Sequence, residues 1–353
     1  MPIMFHPFRW FKKRIKPVKT AIAGPDLHSL LNGYRSTALI YIAAKLKLSD
    51  LLAKGPRTSA DLASTLDVHA RSLQRLLRGL VILGLCTEED DGRFRLTRLG
   101  ARLQSNNGGS EYSLAIMNGE EYAPAWNHLL HSIRTGETAF DHVFGQSPWE
   151  HRRATSGLND CFNTWLKNGA TKAGRSLLSA HDFSVYRRIA DLGGGNGSLL
   201  VTLLQAQPAT RGILFDQAHV LATARTQLEA GGVDSRCQLV EGNFFERIPE
   251  GADVCILKSI LHDWDDEKSL TILRNCHAAL QPGQPLLVLE KILPEPAASA
   301  PMMVMDDLHM LAVTGGLERT ADEYGKLFRT AGFQLRKIVP LRTGHSLLET
   351  VRV

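Results

Sequence analysis

Asp191-Leu192-Gly193-Gly194-Gly195-Asn196-Gly197-Ser198 is the stretch that decides the fold. A run rich in arginine and β-branched residues (185–190) precedes it and an apolar run follows, so the order predicts a strand, a glycine turn and a helix. The alternating glycines remove the Cβ atoms that would keep a ligand off the turn, and the first N–H groups of the helix can face polar ligand atoms. The stretch therefore predicts a site for a nucleotide-like cofactor.

The two ends of this motif indicate which cofactor it is. A dinucleotide-binding fingerprint requires Gly or Ala where this chain has Ser198. An acid two residues before three alternating glycines is instead present without a mismatch, in Asp191, Gly193, Gly195 and Gly197. The acidic start favours S-adenosylmethionine over a dinucleotide.

Strands and helices alternate through the C-terminal half, residues 176–353. Seven strands are predicted, at Arg188–Leu192, Arg211–Asp216, Arg236–Gly242, Asp253–Ser259, Pro285–Leu293, Phe333–Pro340 and Ser346–Val353. Helical stretches separate the first five, as expected of a parallel sheet, whereas the last two lie close enough to pair as a hairpin. The pattern predicts an α/β domain with a seven-stranded, mostly parallel sheet.

A helical module precedes this domain in residues 26–105. Apolar residues recur at helical spacing, and Asp91-Gly92 then marks a turn between two short strands. Helices followed by a hairpin predict a winged helix, a module that often binds DNA. Three arginines on the third helix could face phosphates, but their spacing also describes the solvated side of an amphipathic helix. An apolar helix predicted from Ser36 to Leu51 favours burial against a symmetric partner instead.

Composition restricts the class of protein. The chain has 353 residues, of which 44% are hydrophobic, which is enough for a large core in about two domains. Five cysteines without a CxxC pair indicate neither a disulfide framework nor a zinc site, which favours a reducing, cytoplasmic setting. No apolar run approaches the roughly 18 residues that a membrane span needs, so no integral membrane contact is expected.

Residues 1–25 form a basic arm. The first 20 of them hold six Lys or Arg and no acid, which leaves a net charge of −1 for the remainder of a chain whose total is +5. The basic balance therefore belongs to the arm, and the folded body is not expected to bind nucleic acid. The arm itself either touches an anionic surface or is a solvated or partner-packed tail.

Chemistry-bearing side chains follow the strands at the edge where doubly wound sheets bind ligands. Asp216 ends the second strand and is predicted to accept hydrogen bonds from ribose hydroxyls, with a helix N-cap as the alternative. Asn243 and Phe244 follow the third strand, where an amide could read an adenine edge and an aromatic face could pack on the base. His262 follows the fourth strand and, with an ordinary pKa of about 6.5, is suited to take a proton from an acidic hydroxyl. Glu290 ends the next strand and could fix the tautomer of that imidazole.

Taken in order, these motifs resemble the S-adenosylmethionine-dependent small-molecule O-methyltransferases of the plant caffeate type and their bacterial natural-product relatives. The resemblance runs over nearly the whole chain and includes the winged helix, the glycine motif, Asp216, His262-Asp-Trp-Asp-Asp-Glu267, Glu290-Lys-Ile-Leu-Pro294 and Gly315-Gly-Leu-Glu-Arg-Thr320. It implies a Rossmann-like class I methyltransferase domain in 176–353, a winged-helix dimerisation domain in 26–105 and a helical linker that covers the substrate in 106–175. A homodimer formed through the N-terminal domain is implied with it.

The resemblance also assigns roles to individual residues. Cofactor contacts are predicted at Asp191, Gly193, Gly195, Asp216, Gln217, Asn243, Phe244 and Lys258. Asn243 departs from the family's usual Asp, but its carbonyl oxygen can still accept a hydrogen bond from the adenine amino group, so binding with altered affinity is expected. The predicted catalytic set is His262 as the base, Glu290 and Glu318 flanking it, and Asp263 beside it. The predicted acceptor-binding residues are Trp126, Phe162, Leu166, Met305 and His309, although such an aromatic and methionine stripe is otherwise typical of a core.

The implied reaction is methyl transfer to a hydroxyl of a planar aromatic small molecule, such as a phenol, a polyketide or a phenazine-like heteroaromatic, in secondary metabolism. His262 removes the proton as the oxygen attacks the methyl group of S-adenosylmethionine, S-adenosylhomocysteine leaves, and no metal is required. Three alternatives remain on the same fold: N- or C-methylation, a relative that no longer methylates, and a winged-helix regulator that senses S-adenosylmethionine.

Overall fold

The computed structural model describes residues 26–107, 110–296 and 299–353. The predicted basic arm, 1–25, lies outside the described residues. Within the described part, no helix is both long enough and apolar enough to cross a membrane.

The N-terminal module combines five helices with a small antiparallel sheet. Its helices are α1 (Leu27–Leu31), α2 (Tyr34–Lys45), α3 (Leu48–Leu52), α4 (Ser59–Leu66) and α5 (Ala70–Ile82). Its strands are β1 (Arg57–Thr58), β2 (Cys86–Glu88) and β3 (Arg93–Leu96), in the order β1-β3-β2. Gly92 has a φ of 79° in the turn between β2 and β3, a conformation that glycine adopts without strain. The predicted winged-helix arrangement is confirmed.

The helix predicted from Ser36 to Leu51 is two helices. α2 ends at Lys45, Lys47 has a left-handed backbone with a φ of 50°, and α3 begins at Leu48. The spacing of the apolar residues does not indicate this break, because both helices contribute to one core, through Ala43 and Ala44 of α2 and Leu48 of α3. Ile42 is the one exposed large apolar side chain among the described residues between Ser36 and Leu51, so the expected uncovered face does not lie on this stretch. Exposed large apolar side chains lie instead before it and at the end of α5, at Leu27, Leu30, Leu31, Tyr34 and Ile82.

Six helices link this module to the C-terminal domain. They are α6 (Tyr112–Met117), α7 (Ala123–Asn127), α8 (Leu129–Thr135), α9 (Ala139–Phe144), α10 (Pro148–Ala154) and α11 (Ser156–Ala180). A π-type turn, Asn118–Tyr122, joins α6 to α7. α11 continues through the predicted boundary between residues 175 and 176, so the cover region and the C-terminal domain share one helix.

The C-terminal domain is a seven-stranded sheet. Its strands are β4 (Arg188–Leu192), β5 (Arg211–Asp216), β6 (Cys237–Glu241), β7 (Val254–Lys258), β8 (Pro285–Glu290), β9 (Phe333–Pro340) and β10 (Ser346–Arg352). Its helices are α12 (Ser198–Ala206), α13 (Ala218–Ala230), α14 (Asp266–Ala279), α15 (Pro301–Val313) and α16 (Ala321–Thr330). The order is β6-β5-β4-β7-β8-β10-β9, and β10 alone among these strands runs antiparallel, to both β8 and β9. The predicted parallel sheet and its terminal hairpin are confirmed.

Both faces of the sheet are covered. α14 and α16 pack on one face, and α11, α12 and α13 pack on the other. The chain moves outward from β4 in both directions, to β5 on one side and β7 on the other, so a crevice opens at the carboxyl end of β4. The residues that follow β4, β5, β7 and β8 converge there.

Candidate active site

The glycine loop leaves β4 in the conformation that its sequence predicts. Gly193, Gly195 and Gly197 have φ values of 66°, 61° and 77°, which disfavour any residue with a Cβ. A Cβ on Gly193 would lie 2.6 Å from Ile260 Cδ1 and 3.5 Å from Phe244 Cε1, whereas one on Gly195 would meet no described atom within 4 Å. The backbone at Gly195 therefore borders open space that a ligand can approach.

Asp216 ends β5 directly beside this loop. Its Oδ2 accepts from the Gly195 N–H (2.9 Å) and its Oδ1 from the Gln217 N–H (2.7 Å). Burial raises the pKa of Asp216, and these two backbone hydrogen bonds act against the increase. Gln217, which is exposed, occupies the N-cap position of α13, so Asp216 is not itself the helix cap. Each carboxylate oxygen keeps a lone pair for a ligand hydroxyl.

Asn243 and Phe244 follow β6 at the same edge. The Asn243 Oδ1 accepts from the Phe245 N–H (3.0 Å) and its Nδ2 donates to Glu246 Oε1 (3.2 Å), so the amide also shapes its own turn. Phe244 faces Gly193 and packs edge-on against Phe245. An aromatic ring thus borders the loop, with the Asn243 amide next to it in sequence, and their contact with an adenine base stays a prediction.

Asp191 and Lys258 are buried charges beneath the loop. The Asp191 Oδ2 has no hydrogen-bond partner among the described residues. Burial raises the pKa of Asp191 to about 7, against the opposing effect of Lys258. Burial lowers the pKa of Lys258, and the negative charges of Glu290, Asp191 and Asp263 partly offset this effect. The Lys258 ammonium donates to Ser259 Oγ (3.2 Å).

These residues fit S-adenosylmethionine. Gly195 supplies a loop that no side chain fills, Asp216 keeps acceptors for two ribose hydroxyls, and Phe244 offers a face for a base. The unpartnered Asp191 carboxylate and the Lys258 ammonium are opposite in charge to the amino and carboxylate groups of a methionine moiety. All lie at the crevice beside β4.

His262 lies on a short 3₁₀ turn, Leu261–Asp263, just after β7. Glu290, at the end of β8, is fully buried, and its Oε1 accepts from the N–H groups of Ile260 (2.9 Å) and Leu261 (2.8 Å). Arg319 donates to the carbonyls of Leu261 (2.9 Å) and Trp264 (2.8 Å) from the other side. The backbone N–H groups of the turn are therefore bound by Glu290 and its backbone carbonyls by Arg319. Sequence reasoning included Arg319 in a motif but gave it no role.

Glu318 is the closest partner of the imidazole. Its Oε1 lies 3.0 Å from His262 Nδ1, whereas Glu290 Oε2 lies 4.0 Å away. The expectation that Glu290 fixes the tautomer therefore needs correction, because Glu290 mainly holds the backbone and Glu318 accepts from Nδ1–H. The Nε2 atom is left for chemistry, with Asp263 Oδ1 at 3.8 Å.

A close backbone approach brings Glu318 to this position. A Cβ on Gly316 would lie 1.9 Å from the His262 carbonyl oxygen, so only glycine fits there. Leu317 N–H donates to that same carbonyl (2.9 Å), and Glu318 N–H donates to Asp307 on α15. The Gly315-Gly316 pair of the sequence motif thus allows the segment after α15 to lie against the histidine turn.

The surrounding carboxylates change the basicity of His262. Burial alone would lower its pKa, but Glu290, Asp263 and Glu318 outweigh burial and raise the pKa from 6.5 to about 9. Burial in turn raises the pKa values of Glu290 and Asp263, and the charge of His262 acts against this increase. The imidazole is thus a stronger base than an ordinary histidine.

His262, Glu290 and Glu318 also bring one ligand-type atom each within 4.8 Å of one another, a spacing at which a metal ion could bind. One oxygen of each carboxylate is already hydrogen-bonded, to two amides in Glu290 and to Nδ1 in Glu318. Their second oxygens have no partner among the described residues. The prediction of metal-free chemistry therefore stays a prediction.

Trp126, His309 and Tyr122 form a second group of packed side chains in the site, called the acceptor wall below. The indole Nε1–H of Trp126 donates to Nδ1 of His309 (3.1 Å), and the planes of the two rings lie 24° apart with their centroids 6.4 Å apart. Tyr122 packs edge-on against His309 with ring centroids 4.5 Å apart. Burial lowers the pKa of His309 to about 4. Trp126 on α7 and His309 on α15 are thus in contact, and their role in binding an acceptor stays a prediction.

A buried ion pair that sequence reasoning missed adjoins this wall. Arg152 on α10 donates from Nε and Nη2 to the carboxylate of Glu121 at 3.0–3.1 Å, and both residues are almost fully buried. The guanidinium lies over the ring of Phe162, with Cζ 4.1 Å from the centroid. Arg152 also affects the pKa of Asp263 and of His309, which places it near both walls. No local pattern pairs residues 121 and 152.

The remaining predicted acceptor contacts are less enclosed. Leu166 is half-buried on α11, and Met305 on α15 is 48% exposed. Trp126 and Phe162 pack in one cluster with Tyr122 and Phe140. The structure thus joins three of the five predicted residues, Trp126, His309 and Phe162, through Tyr122.

The π-type turn connects this wall to the N-terminal module. Glu120 accepts from Tyr41 and Lys45 of α2, and the Tyr41 ring lies where a Cβ on Gly119 would be. The next two residues of the turn, Glu121 and Tyr122, contact Arg152 and His309. Three consecutive residues therefore reach three different parts of the molecule.

Comparison with known proteins gives a consistent assignment. A family model described as an O-methyltransferase domain matches residues 126–334, and one described as an O-methyltransferase dimerisation domain matches residues 28–106. The phenazine O-methyltransferase PhzM of Lysobacter antibioticus is 40% identical over 324 residues, which cover 92% of this chain and 94% of that protein.

A solved structure and a relative with another reaction complete the comparison. NcsB1, an O-methyltransferase from neocarzinostatin biosynthesis solved with S-adenosylmethionine and 2-hydroxy-5-methyl naphthoic acid, matches with a TM-score of 0.85 and 32% identity over 94% of this chain and 100% of that one. The aclacinomycin 10-hydroxylase RdmB of Streptomyces purpurascens is 36% identical over 83% of this chain and 80% of that protein. Family models and relatives together show that the chain belongs to the O-methyltransferase family with an N-terminal dimerisation domain, and that it is an S-adenosylmethionine-dependent O-methyltransferase.

Proposed function

We propose that this enzyme methylates a hydroxyl group of a planar aromatic small molecule of secondary metabolism and uses His262 as the general base. The observation that carries the proposal is the orientation of the imidazole, whose Nδ1 is held by Glu318 at 3.0 Å while Nε2 is left for the acceptor. S-adenosylmethionine, when bound, supplies an electrophilic methyl group at the same edge of the sheet.

His262 takes the hydroxyl proton at Nε2. The imidazolium that results is stabilised by the charges that raise its pKa to about 9, of which Glu290 is the largest favourable one. General-base assistance contributes about 10²–10⁴-fold in enzymes, whereas correct positioning contributes about 7–11 kcal/mol. The first contribution corresponds to about 3–5 kcal/mol, so positioning is the larger of the two. The turn at Leu261–Asp263 therefore matters because it fixes where Nε2 lies.

Eight residues are proposed to hold the cofactor. Gly193 and Gly195 form the backbone cradle, Asp216 accepts from the ribose, and Phe244 packs on the base with Asn243 and Gln217 at its rim. Asp191 and Lys258 face the methionine portion. Their support is the open space above Gly195 and the unpartnered carboxylate oxygen of Asp191.

The acceptor is proposed to be a flat aromatic ring system. Trp126, Phe162 and His309 supply ring faces on the side of the site away from the cofactor loop, with Leu166 and Met305 at its opening. The acceptors printed in the names of two relatives, a phenazine and a naphthoic acid, are of this class.

A homodimer through the N-terminal domain completes the proposal. Leu27, Leu30 and Tyr34 are 60–71% exposed on α1 and α2, and Ile82 is 87% exposed at the end of α5. Apolar side chains at this density are typical of a surface that a partner covers. Light scattering of the purified chain should give twice the monomer mass; a monomer at micromolar concentration would contradict the dimer.

One relative is a hydroxylase, so the reaction itself must be tested. We would incubate the protein with methyl-labelled S-adenosylmethionine and a panel of phenols, hydroxyquinones and hydroxylated heteroaromatics, and identify the labelled atom by mass spectrometry. Label on oxygen is the expected result. Label on nitrogen or carbon, or oxygenated products without label, would refute the proposal.

His262→Ala tests the proposed base. The variant should lose at least about 100-fold in kcat on a weakly acidic phenol, while the Kd for S-adenosylhomocysteine stays within about twofold. Equal losses on acceptors of very different acidity would remove His262 from this role.

A further inference from the structure

The acceptor wall contains a histidine whose protonation state is fixed by geometry. The indole nitrogen of Trp126 is a donor only, so His309 Nδ1 must accept its hydrogen bond at 3.1 Å and carries no proton. His309 is therefore neutral, and its proton resides on Nε2. This Nε2–H has no hydrogen-bond partner among the described residues.

Arg152 adds a second free donor to the same wall. Its Nε and Nη2 are used by Glu121, and Nη2 also donates to the hydroxyl of Tyr122 (3.4 Å). Its Nη1 has no hydrogen bond to any part of the chain that the structure describes. Arg152 is only 3% exposed, but Nη1 is not one of its fully enclosed atoms, so this N–H can be reached by a ligand.

The acceptor groups of this wall are already used. The Tyr122 hydroxyl accepts from Arg152 and donates to Met117 Sδ, and Glu121 is occupied by the guanidinium. Tyr122 contacts both Arg152 and His309, so the two unused donors belong to side chains that pack against one ring. The wall therefore offers N–H groups to a ligand.

We propose that Arg152 and His309 form a donor pair that selects methyl acceptors carrying, besides the reacting hydroxyl, a neutral hydrogen-bond-accepting atom, a quinone-type carbonyl or a ring nitrogen. The proposal rests on the proposed function and adds a specificity determinant to it. Arg152 does not act as a carboxylate anchor, because Glu121 already balances its charge and Asp263 lies nearby. A carboxylate on the ligand would lie close to both of these acids.

Three ring systems of equal size test this selection: 2-hydroxyphenazine, 2-hydroxyanthraquinone and 2-hydroxyanthracene. Binding is measured by calorimetry with S-adenosylhomocysteine present, so that the rate of chemistry does not enter, and at a pH well below the pKa values of the three hydroxyls, so that each probe binds as the neutral phenol. We expect the first two to bind at least about tenfold more tightly than 2-hydroxyanthracene. A carboxylated 2-hydroxyanthracene should gain nothing over the parent compound.

The matched variant is Glu121→Leu with Arg152→Met, which removes both charges together and leaves no unpaired buried ion. In this variant the ratio of the binding constants, which is independent of any general change in acceptor binding, should shrink to about threefold or less. The control is the same pair of substitutions at the exposed ion pair Glu89–Arg95 of the N-terminal module, which should keep the full preference.

Trp126→Phe tests the histidine separately. Without the indole donor, His309 can place its proton on either nitrogen, so the preference should fall by about twofold and the ¹⁵N shifts of the ring should show both tautomers. Equal binding of the three probes to the native enzyme, or an undiminished preference in the Glu121→Leu, Arg152→Met variant, would overturn the inference. If the native enzyme methylates all three compounds without preference, only this inference fails; if it methylates none of the panel, the proposed function fails.

Discussion

Glu318→Gln separates the charge of the histidine's partner from its orientation. The pKa of His262 stands at about 9 against an ordinary 6.5, a difference worth about 3 kcal/mol. Burial acts against this difference, so the three carboxylates supply all of it and on average at least about 1 kcal/mol each. A glutamine at 318 can still accept from Nδ1–H through its carbonyl oxygen, but it lacks the charge.

We therefore expect the pKa of His262 to fall by about one unit or more in this variant. The assay is kcat/KM against pH for a phenol whose own pKa is near 10, because this profile reports the base of the free enzyme. The rising limb should move from about pH 9 in the native enzyme to about pH 8 or below, and the plateau should fall by about threefold to tenfold because the base is weaker. An NMR titration of the imidazole should show the same displacement.

Glu267→Gln is the matched control, since Glu267 is exposed on α14 and its loss changes the net charge equally. The reasoning is refuted if the limb of Glu318→Gln stays where the native limb lies, or if Glu267→Gln moves it as far. A collapse of activity with an unmoved limb would mean that Glu318 acts on structure only.

Further predictions concern the cofactor site, the histidine turn and the metal. Gly195→Ala should weaken S-adenosylhomocysteine binding by tenfold or more and cost little folding stability beyond the backbone strain. Gly193→Ala should also lower the urea midpoint, because its Cβ would lie 2.6 Å from Ile260 Cδ1. Equal effects of the two variants on the urea midpoint would contradict the packing argument. Asp216→Asn should raise the Kd for S-adenosylmethionine by about tenfold, since an amide replaces a charged acceptor, and an unchanged Kd in calorimetry would remove Asp216 from the ribose. Arg319→Met should reduce the free energy of unfolding by about 3 kcal/mol, since the buried carbonyl of Leu261 and that of Trp264 lose their donor; the exposed Arg329→Met serves as the control. Treatment with EDTA should leave the rate unchanged, and a loss that added Mg²⁺ or Zn²⁺ restores would contradict metal-free chemistry.

The sheet and the cofactor edge were predictable because each depends on local patterns. Short apolar strands such as Arg188–Leu192 are buried on both faces, and the positive φ angles of the glycine loop require the residue type that the sequence shows. The break at Lys47 was not predictable, because the same leucines would fit one continuous helix as well as two that share a core.

The histidine site shows where sequence reasoning ends. The positions of His262 and Glu290 follow from the parallel strands that carry them, but which carboxylate reaches Nδ1 depends on how the segment after α15 folds back, at Gly316. The Arg152–Glu121 pair depends on two helices of the cover region that no periodicity relates. Such pairings across the fold are visible only in three dimensions.

The π-type turn at Asn118–Tyr122 makes the length of this segment as important as its composition. A π turn holds one residue more than an α turn, and each residue of a helix advances the side chains by about 100°. Deleting Asn118 from this turn would therefore rotate Glu120, Glu121 and Tyr122 together by about 100° relative to α6. The contacts of these residues with α2, Arg152 and His309 would all change, so the acceptor side of the site depends on the length of this turn as well as on its side chains.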